Sequence, residues 1–335
     1  MSELRPYVQP IPHVALSEFP QSAAPDGCRI LDAPADDDLS QVECRELTYV
    51  ERTLPDGKPC PRRLYALIPS TKDPIKAVYG KDGYPCVVFV QGSAWHRQNI
   101  YGHMTDHVRL AEKGFVVASV QYRESDLAPF PAQMLDVKCA IRFLRAHAGE
   151  LHIDPNRLGL WGDSSGAHTA LLAAFTAAGP ATTEAEGEVV ALDCDEYGDQ
   201  STEVSCVVDW FGPVALEQMN CVPSAQDHAG PTSPEGALLG GRNVREHLGW
   251  ARAASPLSYI PDVSDRRLPP ALIMHGGRDQ LVSFEQSVLL YEALKTKGQE
   301  VEFYQLPEAH HGSNGFRTAE ALSVVEGFLR SHLGS

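Results

Sequence analysis

Residues 162–166 read Gly162-Asp163-Ser164-Ser165-Gly166, and their surroundings restrict the fold more than any other stretch. Arg157-Leu158-Gly159-Leu160-Trp161 precedes them as a short strand-like run. Ala167-His168-Thr169-Ala170-Leu171-Leu172-Ala173-Ala174-Phe175 follows as a strong helix former. A serine on a sharp turn from strand to helix fits G-x-S-x-G. Such a turn forces the serine into a strained backbone shape and lifts its hydroxyl out of the sheet. Gly162 and Gly166 answer a steric need, because the turn brings backbone segments close together. The helix that follows aims free N–H groups at any negative charge forming beside Ser164.

The rest of the chain supplies a sheet around that turn. Residues 42–50 and 61–69 read as two strands joined through the turn signal Pro55-Asp56-Gly57-Lys58, hence a hairpin. Cys86–Val90 and Phe115–Val120 are continuous apolar runs of the kind buried on both faces of a sheet. A helical stretch at 101–113 lies between them. A second helix spans Pro131 to His147, with Met134, Val137, Ile141 and Leu144 on one face. Further strands are read at 204–211, 270–274 and 301–306, and further helices at 284–297 and 317–333. Residues 180–203, acidic and turn-rich, read as a surface loop. The alternation predicts an α/β fold with a mostly parallel central sheet and helices on both faces. Residues 41–333 form the expected domain, 1–40 an irregular N-terminal arm, and 213–262 a cap-like insertion.

A serine hydroxyl is a poor nucleophile near neutral pH unless a histidine takes its proton and a carboxylate orients that histidine. In an open α/β sheet these partners belong on loops at the C-terminal strand ends. Asp279, in His275-Gly276-Gly277-Arg278-Asp279, lies just past one strand and is the candidate acid; helix capping is its plainer role. Glu308-Ala309-His310-His311-Gly312 follows the last strand and offers two histidines. His311 is preferred as base because the next residue, Gly312, leaves its ring room to turn over the serine; His310 stays the alternative. Gln91-Gly92-Ser93-Ala94-Trp95 follows strand 86–90 with small residues. There the N–H groups of Gly92 and Ser93, with that of Ser165, are candidates for an oxyanion hole. Trp95, Trp210 and Phe211 are candidate pocket residues, with core packing the competing role for the last two. Asp163 reads as a buried, hydrogen-bonded carboxylate, and His275 as a packed strand-end residue. His103 and His107 read as an ordinary helix face, since the acidic residue of H-E-x-x-H is missing.

Composition narrows the partners. A net charge of −16 disfavours nucleic acid and anionic membrane surfaces. The expected partner is a small-molecule or oligosaccharide ester. No metal or cofactor motif is present, and none of the eight cysteines forms a C-x-x-C pair. Buried free thiols in a reducing compartment are the expectation. No apolar h-region follows Met1, so a cytoplasmic location is expected.

Taken jointly, several motifs resemble the α/β-hydrolase superfamily over roughly residues 42–333. They are Gln91–Trp95, Phe130-Pro131-Ala132-Gln133, Ile141-Arg142-Phe143-Leu144-Arg145, Ile153-Asp154-Pro155-Asn156-Arg157, Gly162–Gly166, Asp209-Trp210-Phe211-Gly212-Pro213 and Ala254-Ser255-Pro256-Leu257. Within that superfamily the chain is similar to the carbohydrate-esterase branch that includes bifunctional feruloyl and acetyl xylan esterases. The resemblance implies a serine carboxylesterase with Ser164 as nucleophile, Asp279 as acid, His311 as base, and Gly92, Ser93 and Ser165 as oxyanion donors. It implies short acyl substrates, acetyl or feruloyl esters of xylo-oligosaccharides, and no cofactor. An arylformamidase is the near alternative, and a non-catalytic binding member of the fold the distant one. The family's usual His-Gly-Gly is here Gln91-Gly92-Ser93.

Overall fold

A computed structural model of the chain describes residues 9, 18, 20–29, 41–54, 56–70 and 83–334. The chain divides into two units, Met1–Asp37 and Asp38–Ser335. In the first, the described residues include a turn in which the Cys28 N–H donates to the Pro25 carbonyl. Most of the arm expected over residues 1–40 lies outside the described residues, as does Pro55 of the expected hairpin turn.

In the second unit the chain runs β1 (Gln41–Thr53), β2 (Pro59–Ser70), β3 (Tyr84–Val90), α1 (Met104–Ala111), β4 (Val116–Val120), α2 (Ala132–Ala146), β5 (Ile153–Asp163) and α3 (Ser165–Phe175). It continues β6 (Thr182–Ala185), β7 (Glu188–Ala191), β8 (Cys206–Trp210), α4 (Pro234–Leu238), α5 (Leu248–Ala253), β9 (Ala271–Gly276), α6 (Phe284–Thr296), β10 (Val301–Leu306) and α7 (Ala319–Leu333). Eight strands form one sheet in the order β1-β2-β4-β3-β5-β8-β9-β10. β1 pairs antiparallel with β2, and β2 antiparallel with β4; every other pairing in this sheet is parallel. This is the mostly parallel sheet that the alternation of elements predicts.

Apolar runs become central strands because both faces of the sheet are covered. Cys86, Val88 and Val90 of β3 point into one core, with Leu158 and Leu160 of β5 and the predicted α2 face of Met134, Val137, Ile141 and Leu144. Val87 and Phe89 point into the other, with Trp161, Phe115 and the α7 residues Phe328 and Leu329. All eight cysteines are free, and Cys86, Cys139 and Cys206 are buried. Among the described residues no helix is long and apolar enough to cross a membrane.

One reading needs correction. Residues 182–191 are a separate two-stranded antiparallel sheet, with Thr182 opposite Ala191, rather than plain loop. Its turn residues Glu186 and Gly187 both take positive φ, +52° and +88°, the shape that lets two-residue turns match strand twist. Each strand has only four residues, too few for alternation to stand out against the acidic background. Residues 213–262 carry short pieces: 3-10 turns at 216–221 and 256–259, and the helices α4 and α5.

Two glycines test the packing logic in opposite directions. A Cβ on Gly166 would lie 2.0 Å from the Val90 carbonyl oxygen, inside the seam between α3 and β3. A Cβ on Gly327, exposed in the middle of α7, would meet nothing within 4 Å. Gly327→Ala is therefore expected to raise unfolding free energy by about 0.5–1 kcal/mol. Gly166→Ala should lower it by more than about 2 kcal/mol. Urea denaturation of both variants checks the pair.

Candidate active site

The turn after β5 holds Ser164 at φ 52°, ψ −128°, a region a side-chain-bearing residue adopts only when its surroundings enforce it. Three contacts enforce it here. The Ser164 N–H donates to the Trp210 carbonyl at 2.8 Å, and its carbonyl accepts from the His168 N–H at 3.1 Å. A Cβ at Gly162 would lie 2.6 Å from the Ala167 nitrogen, so the turn closes only over glycine.

The loops after β9 and β10 bring two side chains to that serine. His311 Nε2 lies 2.9 Å from Ser164 Oγ. His311 Nδ1 lies 2.7 Å from Asp279 Oδ2. The Phe211 ring packs against the His311 ring with centroids 4.7 Å apart, which limits its swing. His310 is exposed, and its Nδ1 faces the carbonyl of His311 at 3.2 Å. The Asp279 side chain is fully buried. Its Oδ1 accepts the N–H groups of Leu281 and Val282 at 2.9 and 3.0 Å. Its Oδ2 also lies 3.3 Å from His275 Nε2. Burial alone would raise this carboxyl, but hydrogen bonds and charge from His275 and His311 outweigh it and hold it down at about 2. His275 is thus more than the packed strand-end residue expected. It sits against the acid while its Nδ1 meets Ser287 Oγ at 2.6 Å.

The loop after β3 departs from expectation. Gly92 N–H donates to Asp163 Oδ1 at 2.7 Å, so it is not a free oxyanion donor. Ser93 N–H donates to the Ser165 hydroxyl at 2.9 Å, and Trp95 N–H shares that acceptor at 3.1 Å. Among the described residues, no acceptor meets the N–H of Ala94 or of Ser165. The reason is chemical: a serine directly after Ser164 adds an acceptor to the crowded turn, and the neighbouring strand-end amides bond to it. The loop is further braced where Trp95 Nε1 donates to His168 Nδ1 at 3.1 Å and His168 Nε2 donates to the Ala254 carbonyl at 2.7 Å. Burial lowers the His168 imidazole to about 4, so it is neutral and can accept from one partner and donate to the other.

A cavity of about 270 Å³ opens over Ser164, lined by Gly92, Ser93, Ala94, Trp95, Ser165, Phe211 and His311. Trp210 is absent from its wall, contrary to expectation. Its ring is buried, packed on Trp161 and Phe316 with centroids 4.8 and 5.4 Å apart. Both rings pack on Phe316, but the positive φ of Phe211, +45°, turns its ring toward His311 and the cavity while Trp210 stays against Trp161. The insertion contributes Gln226, His228, Pro234 and Glu235 to the wall, residues that no local pattern singles out.

His103 and His107 are likewise not an ordinary helix face; both are buried. His103 Nε2 lies 3.6 Å from Asp163 Oδ2, and its Nδ1 lies 3.8 Å from Asp106 Oδ2. Burial opposes its charge, but these carboxylates outweigh burial and raise it to about 9. Asp163 therefore bridges a charged histidine and the Gly92 amide, which anchors the strand-end loop.

Comparison with known proteins agrees with the fold described above. The BD-FAE family model matches residues 75–294. Esterase LipQ of Mycobacterium tuberculosis is 29% identical over 249 residues, 72% of this chain and 53% of that protein. Esterase LipC of the same organism is 30% identical over 250 residues, 73% of this chain and 58% of that protein. The chain thus spans little more than half the length of these relatives. The solved structure of a truncated form of a carbohydrate esterase from gut microbiota superposes with a TM-score of 0.74 at 28% identity, covering 91% of this chain and all of that one.

The charge on His103 has a pH signature. Its folded-state value lies above the unfolded 6.5, so its stabilisation is complete below pH 6.5 and lost as pH rises through 9. The stability gap between the wild type and His103→Asn is expected to shrink by roughly 3 kcal/mol between pH 6 and pH 10. Urea titrations across that range measure it; a constant gap would show that His103 is uncharged in the folded protein.

Proposed function

This chain belongs to the BD-FAE family, and on that premise we propose that it is a serine carboxylic ester hydrolase working through an acyl-enzyme. The observation that carries the reading is the continuous line from Asp279 Oδ2 through His311 to Ser164 Oγ, with contacts of 2.7 and 2.9 Å. His311 Nε2 takes the hydroxyl proton as Ser164 Oγ attacks the ester carbonyl carbon. Asp279 fixes the tautomer that leaves Nε2 free to accept and stabilises the imidazolium that forms. The carbonyl oxygen gains negative charge at the start of α3. There the Ser165 and Ala94 N–H groups, which meet no other acceptor among the described residues, are the donors assigned to it. The C–O bond then breaks, the alcohol leaves with the proton from His311, and a water activated by the same nitrogen releases the acid.

The substrate class proposed is short acyl esters of carbohydrates, with acetyl esters of xylo-oligosaccharides foremost and feruloyl esters second. Two facts support it: the small cavity over the serine, and the likeness to a carbohydrate esterase over the whole of that chain. Residues 213–262 act as a cap-like insertion that shapes the alcohol-binding side.

Ser164→Ala is expected to lower kcat on p-nitrophenyl acetate by about 10⁴-fold or more while leaving the thermal transition in place. A panel of acetylated xylo-oligosaccharides, methyl ferulate and N-formylkynurenine then ranks the substrates. Faster turnover of N-formylkynurenine than of every ester would replace the esterase reading with the arylformamidase one.

A further inference from the structure

Glu235 is the second residue of α4, in the insertion, and lies in the wall of the cavity over Ser164. Its side chain is 3% exposed. One carboxylate oxygen, Oε1, lies 2.9 Å from His228 Nδ1. The other, Oε2, is buried with no hydrogen-bond partner. A buried carboxylate oxygen left without a donor is costly. It is retained where something else supplies the donor.

The carboxylate is not free to turn away. His228 Nε2 is 2.9 Å from the Leu281 carbonyl and 2.9 Å from Ser224 Oγ. Leu281 belongs to the loop that wraps Asp279, whose Oδ1 accepts the Leu281 N–H. Glu235 is thus tied through one imidazole to the segment that holds the acid. Its carboxylate is thereby held in the wall of the cavity that Ser164 also lines.

The chemistry of the pair selects the ligand. Burial opposes the charge on His228, but Glu235 outweighs it and the imidazole is raised above its ordinary value. Both ring nitrogens face acceptors, the Glu235 carboxylate and the Leu281 carbonyl, so a ring that donates to both makes a neutral couple with the carboxylate. A cationic ligand would meet the imidazolium beside the carboxylate, and an anionic one would meet the carboxylate itself. A neutral O–H donor satisfies Oε2 without either conflict.

We propose that Glu235 is a specificity-determining residue that accepts a hydrogen bond from a hydroxyl group of the substrate, so that the enzyme favours esters of polyols over esters of simple alcohols. The proposal rests on the esterase reading above and deepens it.

Glyceryl 1-acetate and propyl acetate share the acetyl group and differ in hydroxyls. Their kcat/KM values, each divided by the ester's rate of alkaline hydrolysis, are compared for the wild type and for Glu235→Gln. The wild type is expected to prefer the glyceryl ester at least ten-fold, and the variant to lose most of that preference through a higher KM for the glyceryl ester. A wild-type preference near unity overturns the proposal. So does a folded variant that keeps the wild-type ratio, since Glu235 would then serve only to hold His228. If Glu235→Gln does not fold, the wild-type ratio alone decides. Turnover of neither ester by the wild type is a different failure: it removes the esterase reading and this inference with it.

Discussion

The close passage of α3 beneath the end of β3 sets the rest of the site. Gly166 lies so near the Val90 carbonyl that no side chain fits between them. That contact fixes where the helix begins, and the helix start fixes Ser164 at a positive φ with its hydroxyl toward the C-terminal strand ends. Because β3, β5, β8, β9 and β10 run parallel, the loops that carry Asp279 and His311 emerge on that same edge. A relaxed serine backbone would move the hydroxyl out of reach of the imidazole. The strain at Ser164 is held by the close packing around it, which is how an unfavourable backbone shape persists in a folded protein.

Two carboxylates, Asp279 with its side chain buried and Asp163 half-buried, flank the serine and do different work because their partners differ. Asp279 accepts two backbone amides and faces two imidazoles, so it is held ionised and orients His311. Asp163 accepts the Gly92 amide and faces charged His103, so its charge is spent on loop structure. Neither can exchange roles, since each is surrounded by donors placed for its own geometry. The arrangement concentrates hydrogen-bond donors around two carboxylates and leaves the Ser164 hydroxyl beside a single imidazole.

Much of this was legible in the chain. β10 runs Val301–Leu306 as read, because a short β-rich run is bracketed by Gly298 and Pro307. The helix face of α2 followed from period alone. Elements were missed where local signal is thin or tertiary contact decides. The β6–β7 hairpin has four-residue strands. Gly92 was read as a free donor because nothing in its neighbours reveals that the Asp163 side chain folds back onto its amide. Trp210 takes the core-packing role that its sequence context leaves open beside the pocket role, because the backbone turns to positive φ only at Phe211. Glu235, His228 and His103 gain their roles in part through partners 7, 53 and 60 positions away, which neighbouring residues do not reveal.

In the proposed mechanism His311 makes Ser164 nucleophilic, although a second serine stands beside it. Intact-mass and peptide-mapping measurements after reaction with a fluorophosphonate test this most directly, because phosphorus–oxygen bond formation with loss of fluoride marks the activated hydroxyl. One adduct per chain, on Ser164, formed by the wild type and slowed at least a thousand-fold in His311→Ala, is the predicted result. An adduct on Ser165, or labelling of His311→Ala at the wild-type rate, would contradict it.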